Sequence, residues 1–321
     1  MAHKSFEKVL KELKNLAGEE HMHVFEDISN IESKLSNENE VVQAWDKVTL
    51  ARHPERPTSL QYIEKIFDRF MELKGDRLYG DDPALIGGIA IFDGMPVTVL
   101  GHQKGRNLKE NIQRNYGMAH PEGYRKALRL AKEADIFGRP IITLIDTSGA
   151  YPGVSAEERG IGEAIARNLK EFSTLNVPII SVVIGEGGSG GALGIGDSDE
   201  VYMMENSISS VISPEGCASI LLRDSSRATL AADLMKLTAK DLESFGIING
   251  IIPEPEGGAH KDFAAAASAL RDRLADSLSR LMGKRVKQLL RERSERLLSL
   301  GPFYGEVEKR QSFLERLFNL G

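Results

Sequence analysis

The sequence has very little cysteine: Cys217 is the only one in 321 residues. A single cysteine excludes a disulfide within the chain and favours a reducing compartment. The sequence also has no CxxC pair, no HExxH motif and no cluster of histidine and cysteine residues. We therefore expect no metal site on this chain.

Long apolar runs and a strong excess of one charge are missing as well. No stretch approaches the length that a bilayer requires, and the N-terminus carries charge from His3 and Lys4 onward, without the apolar core of a signal peptide. The chain has 41 Lys and Arg residues and 47 Asp and Glu residues, and this net charge of −6 gives no reason to expect nucleic acid as a partner. These absences predict a cytoplasmic protein that binds neither membrane nor nucleic acid.

Glycine, by contrast, is abundant in one short segment. Residues 185–191 read Gly-Glu-Gly-Gly-Ser-Gly-Gly, directly after a β-branched run at 178–184 that predicts a buried strand. The small apolar residues 192–195 predict the start of a helix. Glycine lets a backbone approach a ligand closely, and the first amides of a helix have no partner within it. The segment therefore predicts a turn that stabilises negative charge with backbone amides.

A second glycine turn occupies residues 146–153, after a predicted strand at 140–145. A predicted helix at 156–172 then leads to the strand at 178–184, and together they form a βαβ unit. Because ligands of α/β sheets bind at the carboxyl ends of the strands, the two turns are expected to meet at one edge. We predict an oxyanion hole built from both turns: Gly190 and Gly191, with Gly149 or Ala150 opposite.

The glycine-rich segment is compatible with two other chemistries. Residues 185–190 satisfy G-x-G-x-x-G, but a single match is weak support for phosphate binding, and no Walker-type lysine follows. Residues 187–191 satisfy G-x-S-x-G between a predicted strand and a predicted helix, as in a nucleophile elbow. A serine hydrolase would then use the following residues: Ser189 as nucleophile, Asp197 or Asp199 as acid, and His260 as base. We favour the oxyanion hole because no histidine lies in a recognisable catalytic motif.

Charge and periodicity divide the chain into three parts. Residues 1–50 are charged, with apolar residues at helical spacing, and predict a helical N-terminal arm. Residues 51–285 hold the predicted α/β core, including a hairpin whose turn is Asp93-Gly94. Residues 286–321 predict a helical C-terminal tail.

Seven segments in one consistent order carry a more specific signal than any single motif. They are Leu50–Pro57, Gly101–Arg106, Pro121–Leu130, Ile145–Gly153, Gly185–Leu193, Ile212–Ile220 and Ile252–Pro255. With these segments the chain resembles the carboxyltransferase alpha-subunit family of bacterial and plastid-type acetyl-CoA carboxylases. One position departs from the family pattern, because Ser148 stands where the family's loop has proline.

The resemblance implies an α/β fold of the ClpP/crotonase-like type, made of repeated ββα units, with an N-terminal helical arm and a helical C-terminal region. It also implies a reaction: carboxybiotin on a biotin carboxyl carrier protein gives its carboxyl group to acetyl-CoA. The product is malonyl-CoA, in the first committed step of fatty acid biosynthesis. The chain would be active only with a beta subunit, in an α₂β₂ heterotetramer. A partner biotin carboxylase would use the ATP, and zinc and the acetyl-CoA oxyanion hole would lie on partner chains.

The resemblance also assigns roles within the two glycine turns. The expected site comprises Gly190, Gly191, Gly149 and Ala150 as backbone donors to carboxybiotin, and Tyr151, Gly187 and Gly188 as substrate contacts. Since the released biotin anion can itself remove a proton from the acetyl group, no protein acid–base pair is required. The alternative is a serine hydrolase or another crotonase-type acyl-CoA enzyme, which would use Ser189 or the glycine oxyanion hole.

Overall fold

The computed structural model describes residues 42–301, which form a mixed α/β fold around an eight-stranded sheet. The strands are β1 (Arg69–Glu72), β2 (Leu85–Phe92), β3 (Met95–His102), β4 (Ile141–Thr147), β5 (Ile179–Gly188), β6 (Glu200–Met204), β7 (Ile208–Ser210) and β8 (Gly250–Ile252). The α-helices are α1 (Val42–Ala51), α2 (Ser59–Ile66), α3 (Leu108–Gln113), α4 (Pro121–Phe137), α5 (Val154–Glu158), α6 (Ile161–Phe172), α7 (Ser189–Gly196), α8 (Pro214–Cys217), α9 (Ala228–Leu234), α10 (Ala239–Ser244), α11 (Phe263–Met282) and α12 (Val286–Ser299). Short 3₁₀ or π-helical turns lie at Asn115–Gly117, Ala218–Leu222 and Ser225–Arg227.

The sheet combines an antiparallel edge with a parallel centre. Its strand order is β1-β2-β3-β4-β5-β6-β8, and β7 pairs with the end of β5. The first three strands are antiparallel, and every pairing from β3 onward is parallel. The β2–β3 hairpin closes at Phe92 opposite Met95, with Asp93 at φ 48° and Gly94 at φ 78°. Two positive φ values are typical of a type I′ turn, so the predicted hairpin is confirmed.

Helices cover both faces of the sheet. Because side chains alternate along a strand, Ile141 and Ile145 of β4 pack in the cluster that includes α4, α6 and α7. Ile142 and Leu144 pack on the opposite face, in the cluster that includes α2 and α11. Strand β4 is buried along its whole length, as expected for a parallel strand between two helical layers. The carboxyl ends of β4 and β5 remain as the places where backbone turns can meet a ligand.

Two predicted boundaries differ from the structure. The helix predicted at 156–172 is two helices, α5 and α6, because Gly160 between them has a left-handed backbone (φ 79°). The turn predicted at 185–191 begins only after Gly188, because Glu186, Gly187 and Gly188 pair with β7 and continue strand β5. The glycine-rich segment therefore changes direction only at its junction with α7.

A buried arginine attaches helix α12 to the core. Arg293 is 1% exposed, and its guanidinium donates to the Asp199 carboxylate at 2.8 Å. It also donates to three carbonyl oxygens at 2.7–3.0 Å: those of Phe172, Leu175 and Val177. These acceptors compensate the desolvation of the guanidinium, which would otherwise be costly to bury.

The predicted arm and tail lie partly outside the described residues. Of the arm at 1–50, the structure describes α1, which begins at Val42. Of the tail at 286–321, it describes α12 and the residues up to Gly301. The division of the chain at residues 50 and 285 therefore stays a prediction.

Candidate active site

The glycine-rich segment forms the junction between β5 and α7. Gly188 is the N-cap of α7 and provides no side-chain hydrogen bond, and Ser189 follows it at φ 51°. Within residues 42–301, the amides of Gly190 and Gly191 have no hydrogen-bond acceptor. The first turn of α7 therefore presents free N–H groups, and the helix dipole adds positive potential at the same place.

The other glycine turn begins at the end of β4 and is held by a threonine. The Thr147 hydroxyl donates to the Gly149 carbonyl at 2.7 Å, and its oxygen lies 3.2 Å from the Gly149 amide nitrogen, which donates to it. The Ala150 amide has no acceptor among the residues that the structure describes. Ala150, rather than Gly149, is therefore the residue of this turn whose amide is free to bind a ligand.

The two turns are in direct backbone contact. A Cβ atom on Gly191 would lie 2.4 Å from the Gly149 carbonyl carbon and 2.6 Å from the Ala150 nitrogen. A Cβ atom on Gly188 would lie 2.2 Å from the Ser148 carbonyl oxygen. Only glycine, which lacks Cβ, allows such an approach. The contact places the Ala150 amide beside the first turn of α7.

The expected substrate contacts lie around this junction in different environments. Tyr151 is half-buried, its amide donates to the Ala119 carbonyl at 3.0 Å, and its ring lies 4.1 Å from the His120 ring. Gly187 is buried in β5, and its carbonyl accepts from the Ser209 hydroxyl at 2.9 Å. Tyr151 can therefore contact a ligand with its ring, whereas the backbone of Gly187 is held in the sheet.

A partly buried charged cluster lies at the start of both turns, and sequence analysis did not find it. It consists of Lys104, Asp146, Glu186 and Arg52. The Lys104 ammonium lies 2.7 Å from Asp146 and 2.8 Å from Glu186, and Arg52 lies 2.7 Å from Glu186. Lys104 is separated from its two partners by 42 and 82 residues in sequence, so no local pattern connects them. Only the order of the strands brings these charges together.

The members of the charged cluster stabilise one another's ionised forms. Burial acts to raise the pKa of Glu186, but Lys104 and Arg52 outweigh burial and hold this pKa below its usual value. Burial acts to lower the pKa of Lys104, but Asp146 and Glu186 outweigh it and raise this pKa. Lys104 and Glu186 are therefore both charged near neutral pH, directly before the turns that carry the free amides.

Two buried side chains lie on the inner side of α7. The Tyr124 hydroxyl donates to the Gly191 carbonyl at 3.3 Å. His102 is fully buried, and burial, with Lys104 nearby, lowers its pKa to about 3. This imidazole is therefore neutral at physiological pH and has no access to a ligand from solvent.

The alternative serine-hydrolase triad is not assembled. Asp199 is bound to Arg293 at 2.8 Å. His260 stacks on His53, with their ring centroids 3.8 Å apart. In the described part of the chain, no hydrogen bond joins Ser189 to a histidine. The geometry therefore does not favour nucleophilic catalysis by Ser189.

Metal clusters and membrane-spanning helices are absent from the described part of the chain. Between residues 42 and 301, no group of three or more His, Cys, Asp or Glu side chains could hold a metal ion. Each helix in this range is too short or too polar to cross a membrane.

Comparison with known proteins identifies the family. Residues 2–301 match the family model described as acetyl co-enzyme A carboxylase carboxyltransferase-like. The chain is also 56% identical over 303 residues to the acetyl-coenzyme A carboxylase carboxyl transferase subunit alpha of Treponema denticola, an alignment covering 94% of this chain and 99% of that protein. The chain belongs to the acetyl-CoA carboxylase carboxyltransferase family. The Listeria welshimeri protein of the same name is 57% identical over 260 residues, which are 81% of this chain and 82% of that one.

A solved structure supports the fold of this carboxyltransferase. Transcarboxylase 12S, crystallised with methylmalonyl-coenzyme A and methylmalonic acid, matches with a TM-score of 0.58 and 23% identity. The match covers 70% of this chain and 41% of the transcarboxylase chain, so this chain spans about two fifths of that protein. The predicted crotonase-like α/β fold and the predicted carboxyltransferase family are both confirmed.

Proposed function

We propose that this chain forms the carboxybiotin half of an acetyl-CoA carboxylase carboxyltransferase site. The donors to the biotin ureido oxygen are the amides of Gly190, Gly191 and Ala150. The observation that carries this proposal is that these amides have no acceptor among the described residues, although the turns that hold them touch each other. Free N–H groups fit an oxygen that gains negative charge.

The proposed chemistry depends on the backbone of this chain. Carboxybiotin, when bound, supplies an activated carboxyl group whose departure leaves negative charge on the ureido oxygen. The amides of Gly190, Gly191 and Ala150 stabilise that charge, and each well-placed donor of this kind contributes about 2.7–4 kcal/mol to transition-state stabilisation. Because the donors are fixed before the reaction, little reorganisation is needed when the charge develops.

Surrounding residues keep these donors in place and line the site. Gly188 and Gly191 allow the two turns to touch, and Thr147 fixes the shape of the turn at 146–153 through its hydrogen bonds with Gly149. The half-buried Tyr151 ring lies next to Ala150 in sequence and is positioned to contact the bicyclic ring of biotin. These residues bind and orient, and none of them needs to transfer a proton.

We propose that the partners carry the rest of the reaction. Carboxyl transfer also needs donors for the thioester oxygen of acetyl-CoA, and we assign the contacting glycine turns of this chain to carboxybiotin. A beta subunit would supply the second set and bind acetyl-CoA and malonyl-CoA, in an α₂β₂ assembly. Biotin would arrive on a carrier protein, and a separate biotin carboxylase would consume the ATP. The relatives' designation as subunit alpha supports this division.

The test is the reverse reaction, malonyl-CoA decarboxylation with biocytin as the carboxyl acceptor. The full chain is assayed alone and then mixed with its beta subunit. We expect activity only in the mixture, because each chain supplies one oxyanion hole. Activity of the isolated chain on simple esters, lost in Ser189→Ala, would instead support the hydrolase. No decarboxylation by an assembled complex would contradict the proposal.

A further inference from the structure

We propose that Lys104 is a positioning residue that fixes the separation of the two glycine turns, an inference that rests on the proposed function of those turns. Its ammonium lies 2.7 Å from Asp146 and 2.8 Å from Glu186. Asp146 lies at the end of β4, where the glycine turn of residues 146–153 begins, and Glu186 lies two residues before the N-cap of α7. One ammonium group therefore links the two chain segments that lead into the site.

The Lys104 ammonium lies where the regular backbone pairing between β4 and β5 is interrupted. The ladder between β4 and β5 includes the pairs Ile145–Val183 and Thr147–Gly187, with a shift of register between them. Asp146 therefore faces a longer stretch, residues 184–186, and the regular backbone pairing is interrupted. Two contacts bridge the interruption: the Lys104 ammonium, and the Glu186 amide, which donates to Asp146 at 2.9 Å.

Dense packing transmits a change at Lys104 to the backbone. A Cβ on Gly185 would lie 2.4 Å from an Asp146 carboxylate oxygen. A Cβ on Gly117 would lie 2.8 Å from the Asp146 carbonyl oxygen and 3.1 Å from Lys104 Cγ. The Asp146 and Glu186 side chains are only 6% and 11% exposed. Loss of the ammonium would remove the cation between Asp146 and Glu186, whose side chains are both largely buried, and we expect the two strand ends to shift apart.

Arg52 cannot replace Lys104 in this arrangement. Its guanidinium lies 2.7 Å from Glu186 and 2.7 Å from Glu215, on the outer side of the cluster. Among the described contacts it makes none with Asp146. Arg52 therefore fixes Glu186 relative to α8, whereas the Lys104 ammonium contacts both Asp146 and Glu186.

The test is a double-mutant cycle on the full chain assembled with its beta subunit. Decarboxylation of malonyl-CoA with biocytin is measured for Lys104→Met, with and without Gly191→Ala. We expect Lys104→Met to lower kcat by about 10- to 100-fold with little change in KM for malonyl-CoA, because misplacing catalytic groups by about 1 Å has effects of this size. In the Gly191→Ala background the donors are already displaced, so Lys104→Met should cost less than about threefold more.

Lys126→Met is the matched control. Lys126 is 1% exposed, and its ammonium lies 2.6 Å from an Asp81 oxygen and 2.9 Å from the Asp82 carbonyl oxygen. Like Lys104 it is a lysine held by a carboxylate inside the fold, and it is the more deeply buried of the two (1% against 20% side-chain exposure). It lies on α4 and contacts neither turn. Its loss should lower stability, leave kcat per assembled complex within about twofold, and combine additively with Gly191→Ala. Lys104→Arg keeps the charge and should retain kcat within about tenfold of the wild type.

Each outcome decides the proposal. If Lys104→Met matches Lys126→Met in kcat per assembled complex, or adds fully to Gly191→Ala, the positioning role is overturned and Lys104 is a structural ion pair. If Lys104→Met does not assemble, Lys104→Met combined with Glu186→Gln removes one charge of each sign and gives the same comparison. A wild-type complex without activity would overturn the proposed function first, and this inference with it.

Discussion

Gly191→Ala perturbs the contact between the two glycine turns with a single methyl group. The added Cβ would lie 2.4 Å from the Gly149 carbonyl carbon and 2.6 Å from the Ala150 nitrogen. Non-bonded carbon atoms need about 3.5 Å, so the turns must move apart by about 1 Å. Both neighbours are backbone atoms, and no side-chain rotation can relieve the overlap.

Gly162→Ala is the matched control for this change. A Cβ on Gly162 would meet no atom within 4 Å. Gly162 lies in the first turn of α6, so both substitutions replace glycine by alanine in the first turn of a helix and share any effect of helix propensity. We expect kcat within about threefold of the wild type for Gly162→Ala. For Gly191→Ala we expect a loss of about 100-fold, which is about 2.7 kcal/mol of transition-state stabilisation.

The assay is decarboxylation of malonyl-CoA with biocytin by the chain and its beta subunit. Rates are expressed per assembled complex, with the assembled fraction measured by gel filtration, so that a folding defect is not counted as lost catalysis. Normal turnover by Gly191→Ala, or equal losses in both variants, would refute the conclusion that contact between the turns sets the geometry of the donors.

Three further changes test other parts of the structure. Thr147→Val removes the hydroxyl that holds Gly149 and should lower kcat by about tenfold, measured in the same assay. Arg293→Met leaves Asp199 buried without its partner and should lower the free energy of unfolding in urea by about 3–5 kcal/mol, with kcat per assembled complex unchanged. Burial raises the pKa of Asp197 to about 6, so the folded chain binds this proton more tightly than the unfolded chain, and stability from this group is lost as pH rises from about 4 through 6. Asp197→Asn should flatten the urea stability profile over that range, and an unchanged slope would contradict this assignment.

Local sequence signals predicted the parts of the fold that depend on local backbone conformation. Asp93-Gly94 predicts its hairpin because both residues tolerate positive φ, and the structure has this turn. The two glycine-rich segments predict close backbone approach, and Gly188 and Gly191 make such contacts. The predicted extent of the turn at 185–191 was wrong, because pairing of β7 with Glu186, Gly187 and Gly188 extends β5 through residues that favour turns when considered alone.

Non-local contacts could not be predicted in this way. Lys104 is one of eight lysines and arginines in residues 101–132, and no sequence pattern distinguishes it from the others. Only the parallel pairing of β3, β4 and β5 brings it to Asp146 and Glu186. The same applies to the amide of Ala150. The Gly149 amide donates to the Thr147 hydroxyl, whereas the neighbouring Ala150 amide has no acceptor among the described residues. A sequence motif does not distinguish these two amides.

A site that works through backbone amides can accept serine at position 148 in place of proline. The Ser148 amide has no acceptor among the described residues. Because proline has no amide hydrogen, proline at this position would lose no backbone hydrogen bond that serine makes. The atom of Ser148 that contacts Gly188 is its carbonyl oxygen, which any residue supplies. The shape of the turn is instead held by Thr147 through Gly149 and by the contact with Gly191. Activity should therefore depend on the residues that fix the backbone and tolerate exchange at the exposed side chain between them.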